Sequence, residues 1–164
     1  MKFKKNVVLS VLMSLGILVG LFSMFHSPSI EVYSEDNKVH LIPTKNKVTY
    51  VFVWSSTCGS CVYNLNDINV LKQRVEELGG RFLLVLSEDK LILRQMGKAS
   101  CIRLNLEDLE SFYDKNQTLQ KKFAISVVPT LLIFNKHGKM VKRIEGAVPW
   151  AENGNMQEAL DFLN

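Results

Sequence analysis

Two cysteines three residues apart, Cys58 and Cys61, carry the clearest chemistry in this 164-residue chain. They follow an apolar run, Val51-Phe52-Val53-Trp54, and three small hydroxyl residues, Ser55, Ser56 and Thr57. The pattern reads as a buried strand, a tight loop and a helix whose first turn carries both thiols. Residues three apart share one helix face, so the two sulfurs can meet in a short-loop disulfide. A helix start offers free backbone N–H groups and the positive end of the dipole. Both favour the thiolate, the nucleophile of disulfide exchange. Thr57 or Ser56 is expected to cap that helix. A Cys-x-x-Cys pair is also half of a zinc site, so the spacing alone leaves redox and metal chemistry open.

The elements that must position the pair are legible on either side of it. Residues 30–33 and 38–42 alternate in character around Ser34-Glu35-Asp36-Asn37, which predicts a β-hairpin. The spacing of Cys61, Val62, Leu65, Ile68, Leu71, Val75 and Leu78 predicts a helix that Gly79-Gly80 ends. Residues 81–86 form a second buried strand, and the strand–helix–strand order makes a βαβ unit. Residues 87–109 predict a short helix over 91–96 and a short strand over 101–104. A helix is expected within residues 112–123, with Asn116 as its cap. Residues 130–134 and 139–145 pair across the turn at 135–138, and a last helix covers 152–163.

Strand, Cys-x-x-Cys helix start and the downstream Val127-Val128-Pro129-Thr130 run together resemble the thioredoxin superfamily. The extra residues before that run, the N-terminal hairpin and the ending Gly146-Ala147-Val148-Pro149-Trp150 resemble its TlpA/ResA-type branch of membrane-tethered thiol–disulfide oxidoreductases. The resemblance implies an α/β, thioredoxin-like fold: a central mixed sheet flanked by helices, with the hairpin added. It implies that Cys58 attacks and Cys61 resolves, and that the Val128–Pro129 bond is cis. It also implies that Trp54, which is expected to pack in the core as well, Val128 and Pro129 form the substrate-binding surface, with protein dithiols or disulfides as substrates and no cofactor. Departures from the superfamily's pattern are Thr57 before the first cysteine, Phe52 at the place of a buried acid, Asn66 at the place of a helix proline, and the dipeptide Gly59-Ser60.

The chain suffices for one domain and an appendage. Residues 6–25 carry no charge and follow Lys2, Lys4 and Lys5, and about twenty apolar residues span a bilayer. The reading is therefore an anchor or signal sequence over 1–25, a linker over 26–29 and a thioredoxin-like domain over 30–164. An uncleaved transmembrane helix is favoured, because no Ala-x-Ala-like cleavage site follows. The lysines stay cytoplasmic, which places the domain outside, on the periplasmic side of a bacterium. Three of the twenty basic residues precede the run, so seventeen basic face sixteen acidic residues beyond it. That balance gives no footing for nucleic acid.

The leading expectation is an extracytoplasmic oxidoreductase working as a reductant, for instance in cytochrome c maturation, with a membrane electron donor or acceptor. The alternatives are a disulfide-forming oxidase of the same fold, and a copper-binding or delivery module using the pair with His137. No metal site is predicted, since three ligand candidates fall short of a closed structural zinc site. Cys101 is expected to be a small buried apolar residue.

Overall fold

A computed structural model describes residues 29–88, 90–106, 111–150, 152 and 154–163. The expected anchor over 1–25 and most of the linker lie outside the described residues. Among the described residues, no helix is long and apolar enough to cross a membrane.

Among the described residues, seven strands form one mixed sheet. They are β1 (Ile30–Tyr33), β2 (Val39–Ile42), β3 (Thr49–Trp54), β4 (Arg81–Leu86), β5 (Ser111–Tyr113), β6 (Thr130–Phe134) and β7 (Met140–Glu145). Their order across the sheet is β2-β1-β5-β4-β3-β6-β7. β3 and β4 run parallel in register from Thr49↔Arg81 to Trp54↔Leu86, and β6 pairs with β3 in the opposite sense. All six residues of β3 are buried, as are all five of β6. A strand covered on both faces reads as a continuous apolar run rather than an alternation.

Among the described residues, four helices flank the sheet: α1 (Gly59–Glu77), α2 (Leu91–Arg103), α3 (Thr118–Lys122) and α4 (Asn155–Leu160). α1 buries Cys61, Leu65, Ile68, Leu71 and Val75 of the expected stripe, together with Asn64, while Val62 is half-buried and Leu78, just past the helix, is exposed. This stripe meets Tyr50, Phe52, Trp54 and Phe82 in one core layer. Val51, Val53, Leu83 and Val85 point to the opposite face, into a second core with Leu119 and Ile125. At the C-terminal end of α1, Gly79 takes φ of +82°, a left-handed conformation that glycine adopts without a Cβ penalty.

Two sequence expectations are corrected. The segment expected as a short helix and then a strand at 101–104 is one helix, α2, running through Cys101 to Arg103. The strand lies further on, at β5, and the helix expected within 112–123 falls at the end of that range, over Thr118–Lys122. Asn116 does not cap α3, and it sits at φ 58° inside a 3₁₀ turn. The capping is done by Asp114, wholly buried, whose carboxylate accepts from Leu119 N at 2.9 Å and Gln120 N at 3.0 Å. The charged oxygens satisfy the orphan donors of a helix start from several residues upstream.

Candidate active site

The site forms where β3 ends. Ser55, Ser56 and Thr57 turn the chain out of the sheet, and Cys58 N donates to Ser55 O at 3.3 Å. Cys58 has extended backbone angles, φ −92° and ψ 108°, and is itself the N-cap of α1. This corrects the expected Thr57 or Ser56 cap. The sulfur takes the place of a capping oxygen, accepting from Cys61 N at 3.1 Å. Val62 N closes the first helical turn on Cys58 O at 3.1 Å. The capping interaction thus directs a backbone donor at the sulfur, and a donor so placed stabilises a thiolate.

Cys58 and Cys61 are joined as a disulfide, with their Cα atoms 5.2 Å apart. Their environments differ. Cys61 is wholly buried beside Leu65, while Cys58 is half-buried and flanked by exposed Gly59 and Ser60. Ser60 Oγ lies 3.2 Å from the Cys58 sulfur.

The second wall comes from the loop before β6. Val128 O lies 3.6 Å from Cys58 Sγ, and the Val128–Pro129 peptide bond is cis. Two bonds fix this loop: Gly146 N donates to Pro129 O at 2.8 Å, and Thr130 Oγ1 donates to Val127 O at 2.6 Å. Val128 is half-buried against the core, and Val127 next to it is exposed. A cleft of about 590 Å³ opens beside this wall, reaching from Ser55 and Thr57 to Glu88, Gln120 and Val128.

The fold therefore brings Cys58, Cys61, Val128 and Pro129 together. Trp54 is different. It was expected both to pack in the core and to serve the substrate surface, and at 2% exposed it belongs to the core layer with Tyr50 and Phe52. β3 is buried on both faces, so its last side chain packs beneath the site instead of lining it. His137 is also displaced. It lies in the turn after β6, whereas the cysteine pair stands at the Pro129 end where β6 begins. Among the described residues, no three His, Cys, Asp or Glu side chains gather as a metal site.

Sequence reasoning missed two polar residues. Glu88 reaches the loop before Cys58 from beyond β4, and its carboxylate accepts from Ser56 N at 3.0 Å. Asn64, 1% exposed, donates to Val148 O at 2.7 Å and so ties α1 to the segment before Trp150. The available signal for Glu88 was topological, since sites in α/β folds collect at the carboxyl ends of parallel strands.

The fold and the paired thiols define a thioredoxin-like protein. The chain belongs to the redoxin family, whose model matches residues 23–160. Family and cysteine pair together make it a thiol–disulfide oxidoreductase. No curated protein sequence matches it. Among solved structures, it is similar to StoA from Bacillus subtilis, with TM-score 0.68 and 16% identity over 85% of this chain and 98% of that one. It is also similar to the pneumococcal exposed lipoprotein thioredoxin of Streptococcus pneumoniae, with TM-score 0.64 and 23% identity over 83% and 98% of the two chains. A thiol-disulfide oxidoreductase from Bacteroides fragilis matches with TM-score 0.66 and 15% identity over 84% and 98%.

Proposed function

We propose that the protein reduces disulfides in exported proteins, with Cys58 as nucleophile, from a domain tethered to the outer face of the membrane. The observation that carries this reading is the asymmetry of the pair. Cys58 is half-exposed, receives the Cys61 N–H on its sulfur and adjoins the Val128–Pro129 wall, while Cys61 is closed off beneath it.

In the reducing direction, the Cys58 thiolate attacks one sulfur of a substrate disulfide. The second substrate sulfur leaves as a thiolate and takes up a proton. Cys61 then loses its proton and attacks Cys58 Sγ. The Cys58–Cys61 disulfide closes, and the first substrate sulfur leaves and is protonated. Two electrons and two protons pass from the pair to the substrate. A membrane dithiol donor restores the pair by the reverse exchange.

The reducing direction is supported by what surrounds Cys58. Its polar contacts among the described residues are a backbone N–H, a hydroxyl and a carbonyl, with no cation. Strongly oxidising pairs are those whose reduced form is stabilised, and a cation beside the thiolate is one means of doing so. The anchored, extracytoplasmic placement is supported by the uncharged run at 6–25 behind three lysines. The streptococcal neighbour is described as an exposed lipoprotein, which supports the same side of the membrane. Exported proteins with paired cysteines, apocytochrome c among them, are the substrate class.

Trapping with single-cysteine variants tests the roles. Cys61→Ser is expected to accumulate mixed disulfides with protein substrates, and Cys58→Ser almost none. The reverse pattern would exchange nucleophile and resolver. A reduction potential more negative than about −180 mV is expected, and one near about −120 mV would make the protein an oxidase. Protease added to spheroplasts should digest residues 30–164. Full protection of the domain would overturn the outer placement, and release of a shortened soluble form would overturn the anchor.

A further inference from the structure

The loop between β3 and Cys58 is held from a neighbouring strand. Glu88 lies two residues beyond the end of β4, which runs parallel to β3. Its position is set by the sheet, because Ser87 N donates to Trp54 O at 2.8 Å and Gln120 Nε2 donates to Ser87 O at 2.9 Å. From there the carboxylate spans the loop. Ser56 N approaches both oxygens, at 3.0 and 3.3 Å, and the Ser55 and Ser56 hydroxyls also meet Oε1. Ser55 passes the constraint on. Its hydroxyl accepts from Thr57 N at 3.2 Å, and its carbonyl accepts from Cys58 N.

We propose that Glu88 is a positioning residue that sets the redox balance of the Cys58/Cys61 pair and keeps it on the reducing side. The inference rests on these two cysteines being the exchanging pair. Glu88 acts on Cys58 in two ways that a substitution can separate. As an acceptor it fixes the loop, and with it the Cys58 backbone that begins α1. As an anion bonded to Ser56, two residues before Cys58, it opposes the positive end of the helix dipole and disfavours a further negative charge nearby on the Cys58 sulfur. A thiolate made less favourable makes the reduced pair less stable, which lowers the potential. Lys90 and Lys121 line the same cleft, but both are exposed, and the Lys121 ammonium is directed to Asn116 O at 2.9 Å. With Phe52 at the core position expected for an acid, Glu88 is, among the described residues, the carboxylate bonded to the catalytic loop.

The test uses the full chain, purified in detergent, as wild type, Glu88→Gln and Glu88→Ala. Glutamine keeps an acceptor oxygen for Ser56 N–H and removes the charge, whereas alanine removes both. Two quantities are read: the equilibrium of the pair with glutathione, and the pH profile of alkylation, assigned to Cys58 by peptide mass. Glu88→Gln is expected to shift the equilibrium three- to tenfold toward the reduced pair, about 15–30 mV for a two-electron couple. Its Cys58 profile should move to lower pH. Glu88→Ala should also reduce disulfides several-fold more slowly than Glu88→Gln. If Glu88→Gln matches wild type in both readings, Glu88 is only a loop brace, whatever Glu88→Ala does to the melting temperature, and the proposal is overturned. If the wild-type pair does not exchange with glutathione at all, the functional reading itself fails.

Discussion

α1 and α2 each follow a parallel strand at the same end of the sheet, and each carries a buried cysteine. They are built in opposite ways. α1 starts on a side-chain cap and buries four large aliphatic residues, Leu65, Ile68, Leu71 and Val75. α2 starts at Lys90 without a side-chain cap and buries only Gly97, Ser100 and Cys101. Its large residues face outward, with Leu91 63% and Ile92 61% exposed. The close approach on the inner side is real, because a Cβ at Gly97 would stand 3.1 Å from a Leu86 methyl. The difference shows what makes a cysteine reactive in this fold. Cys58 caps α1 and Cys61 lies in its first turn, near the positive end of the helix, so the pair sits where a thiolate is favoured. Cys101 is buried two residues from the C-terminal end of α2, at the negative end of the helix.

If this contrast is correct, the largest stability difference lies between the helix faces. Leu65→Ala or Ile68→Ala should cost about 2–5 kcal/mol in urea unfolding. Ile92→Ala should stay within about 0.5 kcal/mol, the usual range for an exposed site. Similar losses in both helices would break the comparison. A smaller effect sharpens the account of what α1 is packed with. Tyr50, on the strand feeding α1, donates its hydroxyl to Ala159 O in α4 at 2.5 Å. Tyr50→Phe should cost about 1 kcal/mol. Burial, with Asp161 adding, raises the Tyr50 hydroxyl above its ordinary value. The folded state therefore favours the neutral phenol. Its contribution is fully present below about pH 10 and is lost as pH rises beyond the unfolded tyrosine value. Wild type should thus lose stability above pH 10 more steeply than Tyr50→Phe, and equal slopes would contradict the assignment. The smallest effect is expected for Cys101→Ala. Turnover of a disulfide substrate should stay within about twofold, with a stability loss below about 1 kcal/mol. A loss of activity comparable to Cys58→Ser would place Cys101 in the redox cycle.

The same contrast explains what was legible in the sequence. α1 has a regular apolar stripe, a preceding β-branched strand and a terminating glycine pair, so its period and limits agree. α2 reverses the pattern: its buried residues are small, its apolar residues are outside, and periodicity points to the wrong face. β5 has three residues, too few for an alternation to register. At the site, the Cys58/Cys61 pair and the Val128-Pro129 segment are short contiguous motifs and were readable as such. Glu88 was not, because its role depends on β3 and β4 lying side by side, with Trp54 opposite Leu86. Trp54 divides along the same line. Its neighbours in sequence lead to the catalytic loop, while its side chain belongs to the layer below.

The N-terminal hairpin decides which strands end the sheet. Without it, β5 would be the outermost strand on that side, with Phe112 and Tyr113 beside an open row of backbone groups. The hairpin moves the border to β2, four residues long and followed directly by Pro43. At the other border, β7 carries Lys142, Arg143 and Glu145, and its pairing with β6 is interrupted by a register shift at Ile133/Phe134. Short strands, charges and irregular pairing are poor templates for another chain's strand. The hairpin therefore serves solubility as well as folding: a domain trimmed back to residue 44 would trade a blunt border for an aggregation-prone one.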